Sequence, residues 1–259
     1  TIPKTWDEFL AVCEELKAAG ITPVLTDNDA EYIIWPYTMA ALRSAGPTNL
    51  YNTLADKTGE LWSNPDLLKA AKMIDQLNDY YQDGYAGSTW PAAQLEFVQG
   101  RGAMMFMGAW LPSEMLKDTP EGFEMDIFPF PNTGGPGDNV SEAWTNSWTI
   151  LKSSTHPDEA VEFLKFMTSA EQMQGVLDNG APIPLVGFPM PKNLQGLGAI
   201  LSVDQLVPRE SGLLQDFSSL YFDTIGAVSY APLWQGKETP EEFILAAKKA
   251  QAQYYLSNP

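Results

Sequence analysis

The sequence has very few of the residues that enzymes and metal sites use most often. Its 259 residues include one cysteine, Cys13, and one histidine, His156. A single cysteine excludes an internal disulfide and a zinc cluster built on thiolates. His156 lies in the loop-like stretch SSTHPDEA, where we expect a surface residue rather than a catalyst. A histidine triad therefore has no evident context, and the sequence has neither a Gly-x-Ser-x-Gly motif nor a lactamase-type Ser-Lys pattern.

Positive charge is also scarce. Fifteen Lys and Arg residues stand against 33 Asp and Glu residues, which gives a formal net charge of −18. This charge repels phosphate backbones and argues against a nucleic-acid partner. No apolar run approaches the length of a membrane span. The length suits one large domain or two modest ones.

The order of apolar and turn-forming residues predicts a helix-rich α/β fold. Thr5 and Glu8 form a capping-box pattern at the start of the first helix, and Gly20 follows its end. One further helix is expected to begin near Pro36, and another is expected within AAQLEFVQGR. The other expected helices cover residues 64–84, 157–180, 194–203, 212–233 and 239–255. The expected strands are ITPVLT, GAMMFMG, FEMDIFPFP and SWTILK, and residues 132–139 (NTGGPGDN) are expected to be a flexible loop.

Three motifs that could carry chemistry are incomplete. GGPG at 134–137 lacks the lysine and the following helix of a phosphate-binding loop. DNDAE at 27–31 has alternating acids but lacks the glycine and the final glutamate of an EF-hand loop. Pairs of carboxylates suited to sugar hydrolysis are available among 33 acids, and no spacing singles one out. We expect no metal and no cofactor.

Aromatic residues are the prominent feature: 8 Trp, 10 Tyr and 12 Phe. Several lie at element ends beside polar residues, where helix or strand periodicity does not require them. They are Tyr32, Trp35, Trp90, Trp110, Trp144, Trp148 and Tyr221, and their polar neighbours are Asp27–Glu31, Gln94, Glu142, Asn146 and Asp223. Aromatic rings stack on sugar rings while carboxylates and amides bind hydroxyls. A single tryptophan is more often a core residue, so this interpretation depends on the whole set.

Four blocks, in order, resemble family 1 extracellular solute-binding proteins, the sugar receptors of ABC importers. They are PKTWDEFLAVCEELKAAGITPV, FVQGRGAMMFMGAWLPSEM, SWTILKSSTHPDEAVEFLKFMTSAEQMQ and LWQGKETPEEFILAAKKA. The resemblance spans nearly the whole chain. It implies a type II periplasmic-binding fold of two lobes with a sugar in the cleft between them.

The resemblance also implies roles for particular residues. Trp110 would form the floor of the cleft, with Gly108 allowing a close backbone turn before it. Tyr32 would stack on a sugar, and Trp35 would support the start of a helix. Trp90 would lie on the rim, and Trp144 would be either a ligand contact or a hinge support. Tyr221 and Asp223 would lie near the sugar, and Glu142 completes the polar set.

The chain begins at Thr1 without an initiator methionine or a signal peptide, and the family carries a further N-terminal segment that builds most of its first lobe. We therefore expect a second lobe plus part of the first. Residues 1–143 would open the second lobe, residues 146–205 would return to the first, and residues 208–259 would supply closing helices. The apolar face of Ala160, Phe163, Leu164 and Met167 would have lost its cover, and the isolated chain would bind sugar weakly.

The implied function is sugar binding for an ABC importer rather than catalysis. The partners would be a sugar and the permease subunits, and the protein would be an extracytoplasmic monomer tethered through an N-terminal lipid anchor. Two alternatives stay open on the residues: a glycoside hydrolase with an aromatic-lined cleft, and a receptor for another polar solute such as a polyamine or an amino acid.

Overall fold

Helices surround two short pairs of strands in the computed structural model, which describes residues 1–143, 147–207 and 217–258. The strands are β1 (Thr22–Leu25), β2 (Gly102–Met105), β3 (Val140–Glu142) and β4 (Gln205–Val207). The α-helices are α1 (Trp6–Ala18), α2 (Ala30–Ile33), α3 (Trp35–Ala45), α4 (Pro47–Ala55), α5 (Pro65–Asp75), α6 (Trp90–Val98), α7 (Leu111–Glu114), α8 (Pro157–Met167), α9 (Ala170–Asp178), α10 (Leu197–Leu201), α11 (Ala231–Trp234) and α12 (Pro240–Ser257). Short 3₁₀ turns cover Glu60–Ser63, Gln76–Asp79, Tyr85–Gly87 and Lys192–Leu194, and a π-helix covers Ser219–Tyr230. This is the helix-rich α/β class that the sequence predicts.

The two strand pairs are both parallel. In the first, Thr22 pairs with Gly102 and Val24 with Met104. Gly102 is required by this register, since a Cβ added there would lie 2.4 Å from Leu25 Cγ. In the second pair, Val140 of β3 lies opposite Gln205 of β4.

The sequence-based strand prediction was wrong in several places. Residues 123–131 and 147–152 contain no described strand, while β3 and β4 form where none was predicted. A strand needs a partner for its backbone groups, and an apolar run alone does not supply one. The helix expected at 64–84 ends as an α-helix at Asp75 and continues as a 3₁₀ turn.

The helix ends follow the predicted capping chemistry. Thr5 accepts a hydrogen bond from the Glu8 N–H, and the Glu8 carboxylate accepts the Thr5 N–H at 3.2 Å. Gly20, after the end of α1, has a left-handed φ of 75°. Thr239 and Glu242 repeat the same capping box at the start of α12. These caps satisfy backbone donors that the first turn of each helix leaves unpaired.

The loop 132–139, predicted to be flexible, is tied to the end of α3. The buried Arg43 guanidinium donates to Asn132 Oδ1 at 2.6 Å and to the carbonyl of Asp138. The Asp138 carboxylate accepts the N–H groups of Thr133 and Gly134. The glycines of this loop allow close packing, since a Cβ at Gly137 would lie 1.9 Å from the carbonyl oxygen of Leu42 in α3. The loop therefore delivers the chain to β3 in a defined position.

The helices α8 and α9 bury no residue within the part of the chain that the structure describes. Phe163 and Phe166 are each more than half exposed. By contrast, nearly every residue of α3 is buried, and α5 buries Leu67, Ala70, Ala71, Met73 and Ile74. In addition, none of the helices in the described ranges is both long and apolar enough to cross a bilayer.

This contrast in burial predicts a contrast in backbone protection. Amides in 157–178 should exchange with solvent faster than amides in 35–45 and 65–75, because local opening there exposes little additional apolar surface. Hydrogen exchange followed by mass spectrometry at two protein concentrations measures this. Equally slow exchange of α8 and α3 at both concentrations would contradict the exposed position of α8.

Candidate functional site

The candidate site lies at the carboxyl ends of β1 and β2. Because the two strands are parallel, the segments that follow them leave the sheet at the same edge. Open α/β sheets bind their ligands outside this edge. The segment after β1 leads to Tyr32 in α2 and Trp35 in α3, and the segment after β2 leads to Trp110. The strand pairing therefore brings together aromatic residues that are about 75 positions apart in sequence.

Three aromatic rings form a connected cluster at this edge. The ring centroids of Tyr32 and Trp35 are 4.7 Å apart with an interplanar angle of 77°. Those of Trp35 and Trp110 are 5.6 Å apart with an angle of 73°. Each ring is partly exposed. We call these three residues the aromatic cluster; Trp35 is its middle ring and orients the other two by edge-to-face contact.

Gly108 sets the position of the Trp110 ring. A Cβ added at Gly108 would lie 1.9 Å from Trp110 Cζ3, so any larger residue would displace the ring. The expected close turn begins at Gly108, since the Leu111 N–H donates to the Gly108 carbonyl at 3.2 Å. Glycine is also needed there because the indole lies against it. After Trp110, Leu111 begins α7 and packs with Val98 and Met115, which anchors the segment.

Asp27 is a buried carboxylate directly after β1. Its side chain is 2% exposed, and its Oδ1 accepts the Asp29 N–H at 2.8 Å. Burial raises the pKa of Asp27 to about 6. The adjacent backbone is held by Gln82, whose amide group bonds both the N–H and the C=O of Thr26. Sequence reasoning considered this stretch only as a polar neighbour or a calcium loop; its position directly after a buried strand was the available signal.

Tyr221 and Glu142 are two further predicted site residues, and Tyr221 contacts α3. The Thr38 hydroxyl donates to the carbonyl of Ile34, so the Tyr221 hydroxyl, 2.9 Å from Thr38 Oγ1, is the donor in that second bond. Burial raises the pKa of Tyr221 well above its usual value, and nearby Glu142 adds to this effect. Because Tyr221 is fully buried, its ring presents no surface to a ligand, and we leave it out of the proposed contacts.

Three further predicted site residues are Trp90, Asp223 and Trp144. Trp90 is the partly buried first residue of α6. Asp223 is exposed and accepts a hydrogen bond from the Ser219 hydroxyl at 3.0 Å. Trp144 lies outside the described residues. The structure thus brings together Tyr32 and Trp110, and separately Tyr221 and Glu142.

Two other features bear on chemistry. His156 is exposed at the start of α8, with its Nδ1 3.6 Å from a Glu159 carboxylate oxygen. Within the described ranges, no group of three His, Cys, Asp or Glu residues is arranged to hold a metal ion. A groove runs between residues 148–155 and α8, and its walls include Trp148, Leu151 and Phe163.

The fold is that of bacterial solute-binding proteins. A solved chitin oligosaccharide binding protein is similar over 98% of this chain, with a TM-score of 0.81 and 28% identity. The protein SBP RafE, solved in complex with raffinose, is similar over 97% of this chain, with a TM-score of 0.71 and 22% identity. The family model described as bacterial extracellular solute-binding protein matches residues 1–174. The chain therefore belongs to the bacterial extracellular solute-binding protein family.

Curated relatives agree with this assignment. A multiple sugar-binding protein of Streptococcus mutans is 27% identical over 79% of this chain. A diacetylchitobiose binding protein of Streptomyces coelicolor is 22% identical over 87% of this chain. The chain spans about half the length of these two relatives, 50% and 49%, and 65% of the chitin oligosaccharide binding protein.

The Gly108 contact predicts the effect of adding one methyl group. Gly108→Ala should displace the Trp110 ring and change the intrinsic fluorescence of the protein, because the new Cβ and the indole cannot occupy the same space. Gly175→Ala is the matched control, since no atom lies within 4 Å of its added Cβ. Emission spectra of the two variants test this, and identical spectra for Gly108→Ala and the unmodified protein would contradict the contact.

Asp27 predicts a pH-dependent difference in stability. An unfolded aspartate titrates near pH 3.9. With the folded pKa raised to about 6, the favourable contribution of protonated Asp27 is complete below about pH 4 and is lost as the pH rises through 6. Asp27→Asn keeps the acceptor for Asp29 and cannot ionise, so its melting temperature relative to the unmodified protein should rise between pH 4 and pH 8. Thermal unfolding measures this. A difference in melting temperature that does not change with pH would contradict the raised pKa of Asp27.

Proposed function

We propose that this chain is part of the carbohydrate-binding component of an ABC sugar importer, and that it captures a mono- or oligosaccharide on the aromatic cluster. The observation that carries the proposal is the meeting of Tyr32, Trp35 and Trp110 at the carboxyl edge of β1 and β2. All three rings are partly exposed. A soluble protein keeps such a group of large rings at its surface when the rings have a binding role.

The chemistry of the cluster fits a sugar. A sugar ring presents C–H groups on its faces and hydroxyls around its edge, so one aromatic ring and a few polar groups are sufficient to hold it. In the cluster, Trp110 and Tyr32 provide stacking surfaces and Trp35 supports both. Glu142, Asp223, Trp90 and Trp144 are further proposed contacts, on the basis of the resemblance to the family and of the polar set in the sequence. With 33 acidic residues in the chain, carboxylates are available to accept sugar hydroxyls.

The names of the relatives support a sugar rather than another solute. The solved neighbours include proteins that bind chitin oligosaccharide, raffinose and stachyose, and curated relatives are named sugar-binding proteins. Two archaeal relatives from Pyrococcus horikoshii are named ABC transporter extracellular-binding proteins. We carry these properties to this chain as part of the proposal.

The proposed mechanism is capture followed by delivery. The ligand is held by stacking and by hydrogen bonds to its hydroxyls, and a hinge between lobes closes around it. The loaded form then docks on the permease subunits of the importer. Consistent with the extracellular family, we place this function outside the cytoplasm, in a monomer tethered through a lipid anchor. The proposed division at 1–143, 146–205 and 208–259 assigns the aromatic cluster to the second lobe.

The proposal includes the absence of catalysis. Its test is to incubate the protein with oligosaccharides and measure new reducing ends. The panel consists of chito-oligosaccharides, raffinose, stachyose and xylo-oligosaccharides, with spermidine as a non-sugar solute for calorimetric titration. Binding of one sugar without new reducing ends is expected. Turnover would favour a glycoside hydrolase, and binding of spermidine alone would favour a polyamine receptor.

Trp110→Ala tests the stacking surface. The variant should lose about 1–3 kcal/mol of sugar-binding free energy, because one aromatic contact is removed. Its stability should fall by less than the roughly 3–5 kcal/mol expected for a buried tryptophan. Isothermal titration calorimetry and chemical unfolding of the complete gene product provide the two measurements.

Two control variants make this test specific. Trp148→Ala removes an exposed indole in the groove beside α8 and should leave sugar affinity unchanged. Trp62→Ala removes a fully buried indole and sets the scale of stability loss for a core position. If Trp110→Ala binds sugar normally but unfolds as easily as Trp62→Ala, then Trp110 belongs to the core and the proposed stacking role is wrong.

A further inference from the structure

The π-helix Ser219–Tyr230 has an unusual length for this geometry. At the end of this helix, the Ala231 N–H still donates to the carbonyl five residues earlier, that of Gly226. The Ser229 hydroxyl also donates to a carbonyl five residues earlier, that of Thr224, at 3.4 Å. Segments of π-helix are normally single-turn bulges and are often found at functional sites. A longer one indicates that the surrounding structure stabilises this geometry.

The π-helix geometry places two tyrosines on one face. Tyr221 and Tyr230 are nine residues apart, which is about two turns of a helix with i→i+5 bonds. In an α-helix the same spacing is about two and a half turns, so one tyrosine would point away from the other. Both are fully buried in the structure. Tyr221 contacts Thr38, and the Tyr230 ring lies 5.6 Å from the ring of Tyr37, so both tyrosines face α3.

Three buried tyrosines therefore lie at the contact between the π-helix and α3. Tyr37 and Tyr230 are fully buried, and neither hydroxyl has a hydrogen-bond partner among the described residues. The Tyr221 hydroxyl donates its hydrogen bond to Thr38, so the Tyr221 oxygen can still accept a hydrogen bond from another group. The groups influence one another electrostatically: burial is the main cause of the raised pKa of Tyr37, and Tyr221 adds to it. Burial is likewise the main cause of the raised pKa of Tyr230, and Tyr81, Tyr221 and Tyr37 add to it in that order.

Aromatic rings pack around Tyr37 and Tyr230, and the buried hydroxyl of Tyr81 is a further polar neighbour of Tyr230. The Tyr37 ring packs against Trp62 and Phe243, and Phe243 also packs against Tyr230. A buried hydroxyl without a partner costs free energy, and proteins usually satisfy such groups with internal water that makes about three hydrogen bonds. Two unpartnered hydroxyls and one accepting oxygen match that number.

We propose that a water molecule is bound between the hydroxyls of Tyr37, Tyr221 and Tyr230 as a permanent part of the contact between α3 and the π-helix. It accepts a hydrogen bond from each of the Tyr37 and Tyr230 hydroxyls and donates one to the Tyr221 oxygen. The π-helix is retained because it brings both of its tyrosines to this site. The inference does not depend on the proposed sugar function.

A double-mutant cycle tests this site in the complete gene product. Tyr37→Phe and Tyr230→Phe should each lower the melting temperature by about 2–4 °C, because each removes one hydrogen bond to the water. The double variant should lose less than the sum, because the water then leaves and the remaining groups are no longer dependent on it. Unchanged or higher melting temperatures for the single variants would mean that the site is dry, and additive losses would mean that no water is shared; either result overturns the proposal.

A matched control and a direct observation complete the test. The Tyr255 hydroxyl donates directly to the Leu54 carbonyl at 2.7 Å, so Tyr255→Phe and Tyr37→Phe should show additive losses. A crystal structure that resolves ordered water should contain an oxygen within about 2.5–3.0 Å of the Tyr37 and Tyr230 hydroxyls. A direct hydrogen bond between those two hydroxyls, with no water, would refute the site.

Discussion

The parallel pairing of β1 and β2 is the constraint on which the candidate site depends. Each strand has only four residues, yet the pairing decides that the segments after Leu25 and Met105 leave the sheet at one edge. Gly102 is needed for this register, because the Leu25 side chain occupies the space that a side chain at position 102 would fill. A shift of one residue would turn the side chains of β2 to the opposite face and move Trp110 relative to Trp35.

The helix α3 connects this edge to the rest of the fold. Its first residue, Trp35, holds the middle of the aromatic cluster, and Thr38, one turn later, accepts the hydroxyl of Tyr221. At its other end, Arg43 holds the loop that leads into β3 and Glu142. A buried cation of this kind is costly unless its donors are satisfied, so the loop can adopt few alternatives. One helix therefore positions both the aromatic cluster and the strand that carries Glu142.

Much of this could be predicted from the sequence because it depends on local chemistry. The capping boxes at Thr5 and Thr239, the α/β class and the delivery of Trp110 by the strand before it follow from short patterns, and the ordered family blocks indicate the fold. What failed depends on tertiary partners. Strands β3 and β4 are too short to have a periodic pattern, and the glycine-rich loop is fixed by Arg43, about 90 residues away in sequence.

Neither the π-helix nor the burial of Tyr221 could be predicted from a pattern in the sequence. The resemblance to the family put Tyr221 near the sugar, and an α-helical period would turn Tyr221 and Tyr230 to different sides of the helix. Burial of Tyr221 depends on a helix geometry that no local signal predicts. Asp27 shows the same limit, since its raised pKa arises from the atoms that enclose it rather than from its neighbours in sequence.

The central claim is that a carbohydrate stacks on the aromatic cluster. A crystal structure of the complete gene product with a bound oligosaccharide tests it most directly. We predict that a sugar ring lies face to face with the Trp110 indole, with its carbon atoms about 4 Å from the ring. A sugar bound instead in the groove beside Trp148, or bound with no contact to Trp110 and Tyr32, would contradict the account.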